Sequence, residues 1–472
     1  MEAGTIPIIH DVKGYLINVF LKRQQEINRN DTPFISGKRA EAFEIFRKAG
    51  FPHPAIERWR NTDLSRALNH AYFALPQPPS PDLDIDKIFR CDVPHFETLL
   101  ITKLNGWYAD SSNPLQILPN GMIYGSLAAA FSKYPELMNT HYGKYADGKE
   151  ESLTALNTAM AQDGIFIYLP DNVTVEQTVQ MVNIVDSREN LFLNSRNLII
   201  LGENSHMRLV QCDDSINHEV TFINSVTEVH IGRNATLDHY KLQNKDDHTT
   251  LINSMYFQQE EGSSLSTNAI SLNGGLIRNL AQVTLNGRHG QSDIYGLYLM
   301  DRYQHIDNQV YIHHIAPGCQ SRELFKGVLD DHASGVFNGH IKVHRDAQQT
   351  NAFQTNKNIL LTEKATIDTK PFLEIYADDV KCSHGATIGQ LDAEALFYIR
   401  SRGISEVNAK ILLMYAFAAE VINKISIPEL RLRMDDMVKK RLRGELSQCE
   451  QCVLNCSTQE KKIEFPIDLS KI

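Results

Sequence analysis

The sequence predicts a mainly β protein in which a two-sided β-solenoid lies between an N-terminal and a C-terminal helical region. The first observation is a phrase that recurs between residues 164 and 390: polar residues, usually a small residue, and then an apolar one. The second is its spacing, about 29 residues at first and about 15 residues later. A phrase that marks every coil and then every half-coil is typical of a solenoid. The alternative, a β-sandwich with evenly spaced turns, does not explain the halved period.

The first 160 residues are predicted to be a mostly helical subdomain with short strands. Ser36 is a suitable N-cap for a helix over 37–49, which Gly50 ends. A second helical pattern covers 153–161 and stops before an Asp-Gly pair. Strand-like pieces broken by turn residues lie at 98–104 and 115–125.

The central region, residues 161–390, is predicted to form the solenoid. Strand-like segments such as TEVHIG and HIKVHR separate one phrase from the next. One coil cannot bury its apolar face alone, whereas stacked coils bury one continuous core. The residues that mark the turns are Ser205, Ala235, Ser263, Gly290, Cys319, Ala333, Ala347, Ala365 and Val380.

Residues 391–447 are predicted to form a C-terminal helical subdomain, followed by a cysteine-containing tail at 448–472. Asp392 begins a short helix, Ser405 caps a longer one, and Pro428 opens a third, highly charged helix. The second helix carries the run MYAFAAEVI, which is apolar enough to be a protein-binding face. Packing of this run against the solenoid is an alternative, and the two are compatible.

Composition excludes several classes of protein. The chain has 472 residues, of which 42% are hydrophobic and 22% charged, as in soluble globular proteins. A net charge of -10 without a Lys/Arg stripe argues against a nucleic-acid partner. The sequence has no run of apolar residues long enough for a membrane span and no apolar N-terminal segment, so we expect a cytoplasmic protein without membrane contact. Seven scattered cysteines do not suggest a disulfide framework.

Sequence motifs of common enzymes are also missing. No GxxxxGK[ST] motif occurs, so we expect no nucleotide in a P-loop of this chain. Neither an HExxH motif nor a nucleophile elbow occurs. We therefore expect a protein that is not an enzyme, and any dependence on ATP has to come from a partner.

Cys382 and His384 lie in EIYADDVKCSHGATIG, at the last predicted turn before the C-terminal helices. Residues i and i+2 of a strand point to the same side, and a thiolate beside an imidazole suits iron, zinc or copper(I). The final coil has an unpaired edge, through which another chain would supply the remaining ligands. The alternative is a small buried cysteine with His384 hydrogen-bonded beside it.

The tail holds a second group of cysteines. Cys449, Cys452 and Cys456 have the spacing C-x2-C-x3-C, which places three thiols on one face of a helix. Three thiolates bind zinc or an iron–sulfur cluster when a fourth ligand comes from elsewhere. The alternative is a reduced thiol face packed against a neighbour.

The stretch KPFLEIYADDVKCSHGATIGQLDAEALFYIRSRGI, followed by LLMYAFAAEVI, resembles the SufD group of the SufB/SufD family, which belongs to the SUF iron–sulfur cluster assembly system. The resemblance extends back through LFKGVLDDHASGVFNGHIKVHRD and DGIFIYLP and covers most of residues 40–425. SufB proteins have an EHEA-type segment where this chain has EIYADDVKCSHGA. They also carry a cysteine where this chain has Ile399.

The resemblance implies a right-handed parallel β-helix that serves as a scaffold. It implies pairing with a SufB-like paralogue through the β-helix ends, or with a second copy, and a transient iron or iron–sulfur cluster at that interface. His384 would be the ligand from this chain, and Cys382 the weaker candidate. It also implies that a SufC-like ABC ATPase binds the C-terminal helices, through a face that includes Ser405, Leu412, Tyr415, Ala416 and Phe417.

Two other functions remain open. A polysaccharide-active β-helix enzyme needs paired acids on adjacent coils of one face, but Asp330-Asp331 and Asp378-Asp379 fall in the predicted turns. A homodimeric structural scaffold without a metal role is the other alternative.

Overall fold

The computed structural model of the chain describes residues 11–79, 96–146, 148–215 and 219–445. It is mainly β, with a solenoid of about seven turns between N-terminal and C-terminal helices. Each coil contributes one strand to each of two parallel sheets, and every strand pairs with the strand one coil later. The solenoid fold predicted from the halved period is therefore confirmed.

The first sheet of the solenoid contains β6 (Gly164–Leu169), β8 (Leu191–Leu201), β10 (Thr221–Ile231), β12 (Thr249–Gln259), β14 (Leu276–Leu285), β16 (His305–His314), β18 (Ser334–Val343) and β20 (Thr366–Ile375). The second contains β7 (Thr178–Val185), β9 (His206–Ser215), β11 (Thr236–Asn244), β13 (Ser264–Asn273), β15 (Gln291–Met300), β17 (Gln320–Leu329), β19 (Thr350–Leu360) and β21 (Val380–Gly389).

The repeated phrase marks the corners of the solenoid. Ser205, Ala235 and Ser263 are buried and immediately precede strands of the second sheet. Ala333 and Ala365 are equally buried but precede strands of the first sheet. In the earlier coils, only the corners before strands of the second sheet carry the phrase. From Cys319 onward, the corners before strands of both sheets carry it, so the spacing between phrases halves. A small side chain is needed at these corners because it points into the narrow interior, where there is no room for a larger one.

Short strands that precede residue 160 extend both sheets at the N-terminal end. They are β1 (Phe73–Ala74), β2 (Thr98–Leu104), β3 (Trp107–Tyr108), β4 (Leu115–Ile117) and β5 (Ile123–Ser126). β2 pairs in parallel with β7, whereas β5 pairs antiparallel with β6. The sequence predicted β2, β4 and β5 but neither β1 nor β3, and it did not show that these strands would continue the solenoid.

The described residues of the N-terminal region also form five helices and a short 3-10 turn at Glu57–Trp59. The helices are α1 (Val12–Ile27), α2 (Pro33–Ala49), α3 (Leu127–Lys133), α4 (Pro135–His141) and α5 (Ser152–Met160). Ser36 is not the N-cap of α2, as the sequence suggested. Thr32 caps it, accepting a hydrogen bond from the Ile35 amide, because Pro33 already suits the first helical position.

The N-terminal region packs on the outer face of the first sheet. Phe192 and Phe222 of neighbouring strands stack with their ring centroids 4.5 Å apart beneath it. Arg196 and Glu228 form a buried ion pair at 2.6 Å on the same face. Glu228 also accepts hydrogen bonds from the amides of Gly143, Tyr145 and Ala146, which fixes the connection that follows α4.

The described C-terminal residues form three helices, of which the second and third pack on the outer face of the second sheet. They are α6 (Ala393–Ser401), α7 (Glu406–Ile422) and α8 (Pro428–Leu442). The predicted caps are present: Asp392 accepts from the amides of Glu394 and Ala395, and Ser405 from that of Asn408. α7 and α8 bury an apolar stripe against second-sheet residues such as Leu297. None of the described helices combines the length and the apolar character that a membrane span requires.

Candidate functional site

The C-terminal end of the solenoid is open. Within the described part of the chain, β20 and β21 are the last strands of their sheets, and each has a strand neighbour on one side only. Every residue of β21 after Cys382 is exposed, whereas β7, a strand of the same sheet near the other end, is almost wholly buried. An exposed parallel edge presents backbone N–H and C=O groups that another strand can pair with.

Cys382 and His384 lie on this edge strand, on the same side. Cys382 is partly buried and packs against the solenoid core, opposite Ala352 of the preceding coil. His384 is exposed, and its imidazole makes no hydrogen bond with any residue that the structure describes. At Gly385, an added Cβ would meet no atom within 4 Å. The structure thus leaves an imidazole and open space at the end of the interior.

The two side chains differ in their readiness to bind a metal. Partial burial raises the pKa of the Cys382 thiol, so the protonated form is favoured until a metal or a positive charge arrives. A neutral imidazole, in contrast, is a ligand without losing a proton. His384 therefore stays the stronger of the two predicted ligands.

Two polar residues that the sequence analysis missed lie beneath His384. Gln354 of β19 is the register partner of His384, and Glu323 of β17 is the register partner of Gln354. Both are buried, and Gln354 Nε2 donates to Glu323 Oε2 at 2.9 Å. Burial raises the pKa of Glu323 to about 8. Only the register between coils reveals this column, because the three residues are about 30 positions apart in the chain.

The described part of the chain contains no cluster of three or more His, Cys, Asp or Glu side chains that could hold a metal ion. His384 and Cys382 are two donors only. The predicted ligands Cys449, Cys452 and Cys456 lie outside the described residues. A complete site at the open end thus requires further donors.

The structure divides the predicted ATPase-binding residues into two groups. Ser405, Leu412 and Ala416 are exposed on α7. Tyr415 donates its hydroxyl to Asp435 of α8, and Phe417 lies beneath Lys326 of the solenoid, whose Nζ is 4.3 Å from the ring centroid. The inner side of α7 is therefore occupied by intramolecular contacts, and only its outer side is accessible.

The adjacent helix α6 extends the exposed side of α7. It has no buried residue, and Phe397 is 75% exposed. Tyr398 next to it is also exposed. Exposed large apolar side chains on two helices that contact each other, here Phe397 and Tyr398 on α6 and Leu412 on α7, are of the kind that marks protein interfaces.

A cavity of about 800 Å³ lies elsewhere, between the N-terminal region and the first sheet. Arg302 in its wall pairs with Asp247 and Asp301, and His305 hydrogen-bonds Thr62 and Ser334. These polar groups are already paired within the chain. The unpaired groups at the open end make it the better candidate site.

Comparisons with known proteins match nearly the whole chain. Residues 183–417 match the family described as "SUF system FeS cluster assembly, SufBD core domain", and residues 11–181 match the "SufBD protein N-terminal region". The chain is 34% identical to the iron-sulfur cluster assembly protein SufD of Escherichia coli over 408 residues, which covers 84% of this chain and 90% of the relative. The SufD protein of Bacillus subtilis is 25% identical over 431 residues, 90% and 97% of the two chains. An iron-sulfur cluster assembly SufBD family protein of Synechocystis is 28% identical over 442 residues, 92% and 94% of the two chains.

Proposed function

Since this chain belongs to the SufBD family of SUF iron–sulfur cluster assembly proteins, we propose that it is a non-catalytic, cytoplasmic scaffold whose open solenoid end helps to hold a nascent cluster. The solenoid, residues 161–390, pairs with a SufB-like paralogue. The helical part, residues 391–447, binds a SufC-like ATPase that supplies the dependence on ATP. The observation that carries the proposal is His384, an exposed imidazole without a hydrogen bond among the described residues, on the last strand of the second sheet.

Association at this end has both a polar and an apolar basis. The outer edges of β20 and β21 offer backbone hydrogen-bonding groups to a partner strand. Around them, Phe353, Phe372 and Ile388 expose between 44% and 49% of their surface. Burial of such side chains contributes about 25 cal/mol per Å² of apolar area, so the end of the solenoid is a favourable surface for a second solenoid.

Iron or a cluster is the cargo of this interface. His384 provides an imidazole, and Cys382 provides a thiol that loses its proton when a metal binds. The partner's end supplies the remaining donors, because this chain offers two. A partner is needed for geometry as well, since it excludes water from a site that is otherwise open on one side.

The ATPase binds the surface formed by α6 and the outer side of α7. Leu412 and Ala416 lie on this surface together with the exposed aromatics Phe397 and Tyr398. The buried side of α7 holds the helix on the second sheet, so a force on the helices is transmitted to the solenoid. The cysteine tail at 448–472 stays a prediction of a second metal site.

The test of the metal role is His384→Ala in the complex with the SufB-like partner and the ATPase. Iron and acid-labile sulfide are measured after anaerobic reconstitution. We expect an assembled complex with little iron, since one imidazole contributes little to a large interface. Cys382→Ser should lower iron less. His332→Ala, which removes an exposed histidine away from this end, is the matched control.

If His384→Ala complexes load iron like the wild type, the open end is a structural edge only. The homodimeric scaffold without a metal role would then be the better description. Size measurement of the isolated chain, with and without the paralogue, shows which pairing forms.

The ATPase surface is tested by Leu412→Asp, with binding measured directly. We expect the affinity for the ATPase to fall at least about tenfold, because the substitution places a charge in an apolar contact. Leu432→Asp is the control, since Leu432 is 70% exposed on α8, on a different helix from the proposed surface. Equal loss of affinity in both variants would contradict the assignment to α6 and α7.

A further inference from the structure

Gln354 carries a buried hydrogen-bond acceptor that nothing in the described chain satisfies. Its side chain lies inside the solenoid, one coil below His384. Its Nε2 donates to Glu323 Oε2 at 2.9 Å, but its Oε1 has no hydrogen-bond partner. Leaving a buried acceptor unpaired costs about 1–3 kcal/mol, so such a group calls for a donor.

The contact with Glu323 uses the NH2 group of the amide. Gln354 Nε2 donates to Glu323 Oε2, so the carbonyl oxygen of Gln354 is the atom that remains. In this orientation of the amide, the vacant group is an acceptor.

The opposite sheet leaves space for this amide. Gly339 of β18 faces Gln354 across the interior, and a Cβ added there would lie 2.0 Å from Nε2 and 2.9 Å from Oε1 of Gln354. Any side chain at position 339 would therefore displace the amide. Residues from three consecutive strands, Glu323, Gly339 and Gln354, together place one acceptor near the open end.

His384 is the residue next to Gln354 in the direction of the open end. Adjacent strands of a sheet lie about 4.8 Å apart, which brings side chains of a register pair into contact. His384 and Gln354 are such a pair, and the imidazole of His384 is unbonded. A metal-binding histidine typically donates its second ring N–H to an acceptor of the protein, which fixes its tautomer and orientation.

We propose that Gln354 is the positioning residue of His384: Gln354 Oε1 accepts the Nδ1–H of the imidazole and so leaves the Nε2 lone pair free toward the open end. Nδ1 is the ring nitrogen nearer the backbone and therefore nearer the neighbouring strand. This inference rests on the proposed function, in which Nε2 binds iron. Glu323 and Gly339 act one step further away, by holding the amide.

Three variants separate this positioning role from a general effect on the fold. Gln354→Met keeps the length of the side chain and removes the acceptor. Gly339→Ala keeps Gln354 but displaces its amide. Gly335→Ala is the matched control, because it is on the same strand and the same face, but its Cβ meets the flexible ends of Ile367 and Leu329.

The first measurement is the tautomer of His384 in the full-length isolated chain, read from the ¹⁵N NMR shifts of histidine-labelled protein at pH 8. The signal is assigned by its loss in His384→Ala. We expect the Nδ1–H form in the wild type and in Gly335→Ala. In Gln354→Met and Gly339→Ala we expect the Nε2–H form to predominate. Identical shifts in all four proteins would overturn the proposal.

The second measurement is ferrous iron binding by the complex with the SufB-like partner. We expect Gln354→Met to weaken iron binding about tenfold, in the range seen when a residue that orients a metal ligand is lost. If Gln354→Met changes the tautomer of His384 but the His384→Ala complex still loads iron, the proposed function fails, whereas the contact between Gln354 and His384 is supported. If iron loading requires His384 but the tautomer does not depend on Gln354, this inference alone fails.

Discussion

The two ends of the solenoid have the same backbone architecture but opposite surroundings. At the N-terminal end, β2 to β5 continue the sheets and the helices of residues 11–160 cover the outer face of the first sheet. At the C-terminal end, β20 and β21 stop without a cover, and the interior column is exposed at His384. A parallel solenoid needs a cap at each end to protect its core and its edges. One cap is part of this chain, and we propose that the other is a partner.

The comparison of the two ends predicts that a charged side chain introduced inside the coils strongly destabilises the fold, whereas one introduced at the open end does not. Ala347→Asp places a carboxylate in a fully buried corner, and we expect it to cost more than about 3 kcal/mol of unfolding free energy. Ser383→Asp, on the exposed strand β21, is the control and should be nearly neutral. Chemical denaturation measures both.

Hydrogen exchange sharpens the test of Ala347→Asp. Stacked coils share one core, so protection should fall over the whole solenoid rather than in one coil. Loss of protection confined to β18, β19 and the corner between them would show that the coils are independent units.

The buried ion pair beneath the N-terminal region should contribute more to stability than the ion pair at the open end. Glu228→Ala leaves Arg196 buried without its counter-ion and three amides without an acceptor, so we expect a loss of about 3–5 kcal/mol. Glu374→Ala at the open end removes a carboxylate that pairs with Lys342 at 2.9 Å. Glu374→Ala should lower the midpoint of thermal unfolding far less than Glu228→Ala does. Equal shifts would contradict the comparison.

Glu323 makes the stability of the interior depend on pH. Its pKa is raised to about 8 in the folded chain by burial, above the value of about 4.3 for an unfolded glutamate. Between these values the folded state holds a proton that the unfolded state has released. Stability therefore falls as the pH rises, by up to about 1.4 kcal/mol per pH unit.

The matched variant is Glu323→Gln, which keeps an oxygen for Gln354 but does not ionise. Unfolding free energies measured between pH 5 and pH 8 should fall less steeply with pH in this variant than in the wild type. The same slope in both proteins would show that Glu323 is ionised in the folded chain.

The smallest effect on folding is expected at the open end itself. Ile388→Lys changes a residue that is 49% exposed, so the free energy of unfolding should stay within about 0.5 kcal/mol of the wild type. Binding to the SufB-like partner should nevertheless weaken, because a lysine would be buried in the interface. Calorimetry of both processes checks this, and unchanged binding would place the partner elsewhere.

The sequence alone determined the class of fold and where several of its elements occur. The corners of a solenoid require small residues at regular spacing, so the phrase around Ser205, Ala235 and Ala333 reveals the coils. Caps such as Asp392 and Ser405 were also readable, since a helix start depends on residues next to it in the chain. The position of Cys382 and His384 on the final strand followed from the same local pattern.

The tertiary structure decided which residues from distant parts of the chain contact one another. The capping of the N-terminal end by β2 to β5, the packing of α7 on the second sheet and the column Glu323–Gln354–His384 depend on contacts between distant residues. Phe417, read from the sequence as a candidate for partner binding, packs beneath Lys326, because the sequence shows that a helix side is apolar but not what covers it. Gly339 shows the same limit. The reason for a glycine at this position is the amide of Gln354, which occupies the space next to it from the opposite sheet.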